Sequence, residues 1–160
     1  MNCQPEPGCL QLATRKGELM LGESKAIVFL ATTQPEAARQ FYEAVLGLRF
    51  IADEHFALVF DIDGRMLRIS KVQALVPAKH TVLGWDVQNI AAVVDQLAGR
   101  GITFEHFEGM PQNARGIWQS PTGAQVAWFK DPDGNMLSLT QFGFSEAATT
   151  VVLSQSSGFG

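Results

Sequence analysis

Imidazole and carboxylate side chains are the candidates for proton-transfer chemistry in this sequence. His80 and Asp86 lie in one apolar run that is typical of a strand. A positioned His or Asp serves as a general base when a cleft shifts its pKa toward neutrality. We therefore take both as candidates, although a solvated carboxylate at a strand end explains Asp86 equally well. The strand period of two predicts a cavity face with His80, Val82, Gly84 and Asp86, and a helix-facing side with Thr81, Leu83, Trp85 and Val87.

Other reactive side chains lack partners at motif spacing. Cys3 and Cys9 have no His nearby and do not form a Cys-x-x-Cys pair, so we interpret them as reduced and incidental. His55 and His106 lie near the ends of predicted strands without an acidic or thiol partner, which is typical of surface histidines. None of these four is predicted to be catalytic.

The strongest pattern is an internal repeat. The segment 61–70, DIDGRMLRIS, recurs at 131–140 as DPDGNMLSLT, and the segment 34–50 matches 88–104. The offset grows from 54 (88 − 34) to 70 (131 − 61), so the later copy carries sixteen extra residues, mainly within 109–123. Insertions of this kind fall in loops, which often carry binding function. We predict one structural unit built twice, with 61–70 and 131–140 as equivalent hairpins.

Each copy is predicted to be a βαβββ module. Thr33 and Glu36 have the spacing of a helix capping box after a strand at 25–32, and Gly47 ends the helix. Asn89 and Gly101 bound the corresponding helix of the second copy, which follows a strand at 80–87. The result is an α+β fold, with two tandem modules forming a curved half-open barrel. The remaining predicted strands are 48–52, 56–62 and 66–72 in the first module, and 102–107, 124–130 and 136–142 in the second.

Length and charge restrict the function classes. The chain of 160 residues fits one domain at 25–142, with modules at about 25–76 and 80–142, a flexible leader 1–24 and a tail 143–160. Met20 is an alternative start, and the apolar run 149–153 is a candidate edge strand. The net charge of −4, with scattered Lys and Arg, excludes a nucleic-acid partner. No apolar run approaches the roughly 20 residues of a membrane span, so we expect a cytoplasmic protein.

Two phrases carry a family resemblance. The helix phrase 40–47, QFYEAVLG, and the hairpin phrase 128–135, WFKDPDGN, resemble the vicinal oxygen chelate superfamily, which contains glyoxalase I, extradiol dioxygenases and bleomycin-resistance proteins. The resemblance covers about 25–142. It implies the fold, but it does not specify the reaction, because the family hosts many chemistries. It also implies a homodimer as the default assembly.

The resemblance also implies where a divalent metal would be held. By spacing, the four positions are Ile27, Arg68, Val82 and Ser138, and a one-residue slip would replace Val82 by Thr81. Divalent metals require carboxylate, imidazole, thiolate or carbonyl donors, which these side chains do not supply. We therefore predict no metal and no cofactor.

The same alignment implies the lining of a ligand cleft. Arg68 takes the place of a metal-binding carboxylate, so it would either attract an anionic or carbonyl oxygen or form an internal ion pair with Asp86 or another acid. Trp118 and Trp128 are candidates for the apolar walls. Met66 and Met136 share the predicted inward face with Arg68 and Ser138, where core filling is the simpler role.

Three functions are consistent with these observations. The favoured one is a metal-free protein that binds a small organic molecule through Arg68, His80, Asp86, Trp118, Trp128 and Ser138. The second is a lyase or dioxygenase-type enzyme that uses non-standard metal ligands or a metal-free general base. The third is an assembly module, which predicts a flat apolar surface without a pocket.

Overall fold

Two modules of the same build follow one another in the computed structural model, which describes residues 21–143. The first contains β1 (Ile27–Thr32), α1 (Pro35–Gln40), β2 (Arg49–Asp53), β3 (Ala57–Ile62) and β4 (Arg65–Lys71). The second contains β5 (Thr81–Asp86), α2 (Ile90–Gly99), β6 (Trp118–Gln119), β7 (Gln125–Lys130) and β8 (Met136–Gln141). A 3₁₀ turn at Leu21–Glu23 precedes β1, and a π-helical turn at Phe41–Val45 continues α1. The predicted α+β fold of two βαβββ modules is confirmed.

The two sheets share one strand order. It is β1-β4-β3-β2 in the first sheet and β5-β8-β7-β6 in the second. The first and last strands of each module pair in parallel, and all other neighbours are antiparallel. Within the described residues the sheets do not close into a barrel, which agrees with the half-open arrangement. The assignments to the leader and the tail fall largely on residues 1–20 and 144–160, outside the described part.

Side chains alternate between the two faces of each strand, and the apolar ones on one face form a single core across both modules. Phe60, Leu67 and Ile69 turn the same way from the first sheet, and Phe129 and Leu137 do so from the second. These side chains meet the apolar sides of the helices, and burial of each contributes roughly 1.5–3 kcal/mol. The helix residues in this core include Ala38, Phe41, Tyr42, Ile90, Val94 and Leu97.

The beginning of α1 differs from the predicted capping box. Gln34 is the N-cap and makes no side-chain capping bond, and its backbone N–H donates to Thr32 Oγ1 at 2.9 Å. Thr33 instead donates its N–H (2.7 Å) and its hydroxyl (2.6 Å) to Asp133 of the second module. The hydroxyl expected to cap the helix is therefore used in a contact between modules. In α2 the prediction is confirmed, because Asn89 accepts from Ala92 N at 3.1 Å.

A β-bulge and a π-helical turn shift the two modules by one residue against each other. Ile27 and Thr81 both pair with the first Met of their β4 or β8 neighbour, but Phe29 corresponds to Gly84 after the bulge at Val82. The offset is thus 54 before the bulge and 55 after it. The π-helical turn adds one residue to the first helix and restores the offset to 54 at Gly47 and Gly101, which both have positive φ.

The predicted strand at 102–107 is wrong. Only Phe104 forms a bridge, to Phe129, and the edge of the second sheet is completed by β6 instead. The cause is Gln112, whose side-chain oxygen accepts from Phe107 N at 2.6 Å. Its amide nitrogen donates to Glu105 O (2.9 Å) and Gly116 O (2.7 Å). These bonds occupy the backbone groups that a strand would use and fold 105–117 into a loop.

Candidate functional site

An aromatic cluster lies on the face of the second sheet that points away from α2. The rings of Trp118 and Trp128 are 6.2 Å apart, and Phe107 meets Trp128 edge-on at 5.5 Å. Both indoles are half-buried, and Trp128 Nε1 donates to Thr81 Oγ1 at 3.2 Å. We call Phe107, Thr81, Trp118, Trp128 and Ser138 the aromatic face. Its rings present an apolar wall next to hydroxyl groups, as ligand pockets do.

Ser138 is the polar centre of this face. It pairs across the sheet with Trp128 on one side and Gly84 on the other, and it is buried. A Cβ at Gly84 would lie 2.6 Å from Ser138 Oγ, so glycine is what leaves room for the hydroxyl. No side-chain hydrogen bond of Ser138 is formed within residues 21–143. The hydroxyl is therefore available to a ligand.

The predicted faces of β5 need correction at the bulge. The bulge at Val82 brings Thr81 to the face of Gly84 and Asp86, and Val82, which was predicted for the cavity face, packs against the core with Leu83 and Trp85. Sequence periodicity cannot show a bulge, so Thr81 was missed as a member of the aromatic face. His80 lies just outside β5 and is exposed. Asp86 is exposed at the opposite end of the strand.

Arg68 lies in the other sheet and is held by a carboxylate. Its Nη2 is 2.5 Å from Glu54 Oε2, and its side chain is about one-quarter exposed. The surrounding face of the first sheet carries exposed Ile27, Phe29 and Met66, which we call the apolar face. Of the two predicted environments for Arg68, the structure contains the internal ion pair, with Glu54 rather than Asp86 as the acid.

The structure therefore brings together three of the six predicted site residues. Trp118, Trp128 and Ser138 are neighbours on the aromatic face. Arg68 belongs to the first sheet, whereas His80 and Asp86 are at opposite ends of β5. Phe107 joins the cluster because it lies in the loop that the side chain of Gln112 holds in place. The only sequence signal for Phe107 was that this loop lies next to the extra residues of the second module.

A polar cluster joins the connection between β7 and β8 to the end of β1 and to the π-helical turn after α1. Tyr42 donates its hydroxyl to Asp131 at 2.8 Å, and Asn135 Nδ2 donates to Asp131 (2.8 Å) and to Ala31 O (3.0 Å). Thr32 and Thr33 donate their hydroxyls to Asp133. We call these residues the clasp. Tyr42, Asp131, Asp133 and Asn135 come from the two phrases that carried the family resemblance, while Thr32 and Thr33 lie just before the first helix.

Burial and charge shift the pKa values of two clasp residues. Burial, followed by the adjacent charge of Asp131, raises the pKa of Tyr42 far above its ordinary value. Partial burial would raise the pKa of Asp133, but hydrogen bonds from Thr32 and Thr33 outweigh it and hold that pKa below its ordinary value. Tyr42 is therefore a neutral donor, and Asp133 is an ionised acceptor.

The donor set does not fit a divalent metal. Ile27 and Val82 supply no donor atom, Arg68 is a cation paired with Glu54, and Ser138 and Thr81 supply only hydroxyls. Across residues 21–143 no group of three or more His, Cys, Asp or Glu side chains could hold a metal ion. The residues of this site therefore offer aromatic surfaces and hydroxyl groups rather than metal ligands.

Comparison with protein families decides the classification. Residues 26–139 match the Glyoxalase/Bleomycin resistance protein/Dioxygenase superfamily. The chain belongs to this superfamily. The match spans both modules, including the aromatic face and the clasp. No curated protein sequence matches the chain, and no helix among residues 21–143 is long and apolar enough to cross a membrane.

Solved structures of superfamily members share the fold. A glyoxalase family protein from Bacillus anthracis is 20% identical, with a TM-score of 0.59, covering 76% of this chain and 96% of its own. A superfamily member from Sphaerobacter thermophilus is also 20% identical, with a TM-score of 0.59, covering 73% and 95%. Lactoylglutathione lyase from Agrobacterium tumefaciens is 20% identical, with a TM-score of 0.57, covering 76% and 98%. Identities this low show the fold alone.

Proposed function

We propose that this superfamily member binds a small organic molecule on its aromatic face without a metal supplied by the protein. The observation that carries the proposal is the pair of half-buried indoles, Trp118 and Trp128, beside the unengaged hydroxyl of Ser138. Indole rings offer a large apolar surface at little entropic cost, and the hydroxyl selects the orientation of the ligand. A planar, mostly apolar molecule with one hydrogen-bonding group fits this arrangement.

Arg68 remains a proposed ligand contact, but Glu54 changes what it selects. The guanidinium and the carboxylate form a pair, so an anionic ligand must displace Glu54 before it gains the charge of Arg68. The pair is partly exposed, which limits its own stabilisation to about 1 kcal/mol or less. We therefore expect an anionic group to improve binding only modestly.

Fluorescence titration with two probes tests the proposal. Naphthalene-1-methanol and 1-naphthoate share one ring system and differ in charge. We expect both to quench Trp118 and Trp128, and we expect Trp118→Ala to weaken binding about tenfold or more, in line with the stacking energies of aromatic residues. Trp85→Phe is the matched control, because Trp85 packs in the core. Unchanged affinity in both Trp118→Ala and Trp128→Ala would remove the aromatic face from consideration.

The enzyme alternative has no favouring observation. His80 and Asp86 are both exposed and lie at opposite ends of β5, and neither pairs with another side chain in the described part of the chain. A general base needs a defined position beside the group that it deprotonates. Native mass spectrometry of freshly purified protein would reveal a copurified ligand and its chemistry.

A homodimer is proposed as the assembly. Ile27 (50%), Phe29 (61%) and Met66 (42%) are exposed together on one sheet face, and contiguous apolar patches of this kind mark interaction surfaces. Light scattering coupled to size-exclusion chromatography should give twice the chain mass, and Phe29→Asp should give the monomer. The cytoplasmic location stays a prediction, which fractionation of producing cells tests.

A further inference from the structure

A carboxylate shares the face of the second sheet that carries the indoles. In the register of β5 with β8, Gly84 pairs with Ser138 and Asp86 pairs with Thr140. Positions two apart on a strand point to the same face, so the side chain of Asp86 leaves the sheet on the same face as the Ser138 hydroxyl. Two positions along a strand span about 7 Å, which places Asp86 at the edge of the aromatic face.

Gly84 leaves space between this carboxylate and the Ser138 hydroxyl. It carries no side chain, and the three atoms nearest to the place where its Cβ would lie all belong to Ser138. The space beside the hydroxyl is therefore bounded by Ser138 on β8 and by Asp86 on β5. A ligand that contacts the hydroxyl can extend along β5 to Asp86 without meeting another side chain of that strand on this face.

The carboxylate belongs to the second module alone. Ala31, which pairs with Ser70, takes the place in the first module that Asp86, which pairs with Thr140, has in the second. Since the same strand pairing forms with a methyl group in that place, the carboxylate is not needed to build the sheet.

Asp86 is also the charge on this face that has no partner. Among residues 21–143, the charged side chains of the strands on this face are Asp86 and Lys130, and Lys130 pairs with Glu105 at 3.0 Å. Asp86 is exposed and takes part in no ion pair within the same part of the chain. The uncompensated charge beside the indoles is therefore negative.

We propose that the molecule bound on the aromatic face is an organic cation, in which a planar ring carries an ammonium group on a short arm. This assignment rests on the function proposed above. The ring lies against Trp128, and the ammonium group binds Asp86. Indole faces attract cations through the negative potential of the ring, and the carboxylate adds a charge-assisted hydrogen bond. A neutral molecule of the same shape gains only the stacking, so the site selects for positive charge.

Calorimetric titration of the full chain with two probes of equal shape tests this proposal. Naphthalene-1-methylamine is protonated at neutral pH, and naphthalene-1-methanol lacks the charge. We expect the amine to bind at least about fivefold more tightly than the alcohol. This advantage should shrink as the NaCl concentration rises from about 0.01 M to about 1 M, because salt screens exposed charges.

The two probes also separate this proposal from the one on which it rests. Equal affinities at low salt would overturn the cation assignment and leave the aromatic face as a site for neutral molecules. Binding of neither probe would overturn both the cation assignment and the proposed function.

Variants locate the charge that selects the amine. Asp86→Asn should bring the affinity for the amine down to that for the alcohol, whereas Asp86→Glu keeps the charge and should retain the advantage. Asp63→Asn is the matched control, because it removes one carboxylate from an exposed turn of the first module and should change neither affinity. An advantage that survives Asp86→Asn, or that Asp63→Asn abolishes equally, would overturn the assignment to Asp86.

Discussion

The hairpins 61–70 and 131–140 share most of one sequence pattern but have different roles. In the first, Asp63 and Gly64 form a two-residue turn with positive φ at both positions, and Asp61 stays in β3 with its carboxylate 3.4 Å from exposed Arg49. In the second, five residues connect β7 to β8, and Asp131 is 6% exposed at the centre of the clasp. One motif thus serves as a local turn and as the fastener between modules.

A single residue separates the two roles. Met66 pairs with Asp61, and four residues lie between them. Met136 pairs with Lys130, and five residues lie between them, so the second connection is one residue longer between equivalent methionine pairs. As a result, Asp131 lies outside the paired part of the strands. Freed from strand pairing, Asp131 accepts from the backbone N–H groups of Asp133 (3.0 Å) and Asn135 (2.9 Å). Local chain length, rather than residue identity, decides whether the carboxylate faces solvent or the interior.

The largest expected difference is between Asp131→Ala and Asp61→Ala. Removal of Asp131 leaves the buried Tyr42 hydroxyl without its acceptor and the Asn135 side-chain amide with Ala31 O alone, which should lower the free energy of unfolding by about 2–4 kcal/mol. Asp61→Ala removes one ion pair at 3.4 Å to the largely exposed Arg49 and should cost under about 1 kcal/mol. Urea denaturation of both variants measures the two losses in the free energy of unfolding. Equal losses would show that the two hairpins are energetically equivalent.

Acid should weaken the contact between Asp133 and the two threonines of the first module. Because the folded state lowers the pKa of Asp133, its ionised form stabilises the protein above the unfolded pKa of about 3.9, and this stability is lost as pH falls through the lower folded pKa. Asp133→Asn should therefore be less stable than wild type at pH 6, with the gap narrowing below about pH 4. Asp63→Asn is the control. A gap independent of pH would contradict an ionised clasp.

Gly84 and Ser138 occupy the sheet positions that Phe29 and Arg68 hold in the first module. Gly84→Ala places a Cβ 2.6 Å from Ser138 Oγ, and the hydroxyl must rotate away, so we expect a loss of about 1 kcal/mol. The double variant Gly84→Ala/Ser138→Ala removes the clash. A double-mutant cycle by thermal unfolding should show coupling of about 1 kcal/mol. Additive losses would mean that the two side chains do not meet.

The smallest effect is expected at the ion pair of the first sheet. Glu54→Gln removes the partner of Arg68 and should change the free energy of unfolding by less than about 1 kcal/mol, since both side chains are partly exposed. It should improve 1-naphthoate binding relative to naphthalene-1-methanol if Arg68 reaches the ligand. An unchanged ratio of the two affinities would confine Arg68 to a structural role.

Sequence periodicity was sufficient for the repeating parts of this fold. The helices, the Asn89 cap and the strands β2, β3 and β4 follow from patterns that involve residues close in sequence. It failed where a distant or irregular partner decides the outcome. Thr33 bonds to Asp133 instead of capping the helix, Gln112 replaces a strand by a loop, and the bulge at Val82 moves Thr81 to the opposite face of β5. The indoles were predicted as aromatic walls and Ser138 from the family resemblance, and none of the three lies on the bulged strand.

The parallel pairing of the first and last strands has a consequence for biosynthesis. Among the strands of residues 21–143, β1 bonds only to β4 and β5 only to β8, so each sheet remains incomplete until its final strand has left the ribosome. Contacts this distant in sequence slow folding and leave apolar strand surfaces exposed in the meantime. The clasp depends on residues 131–135 and forms only near the end of synthesis. We therefore expect a chain truncated before β8 to aggregate rather than to yield a folded first module.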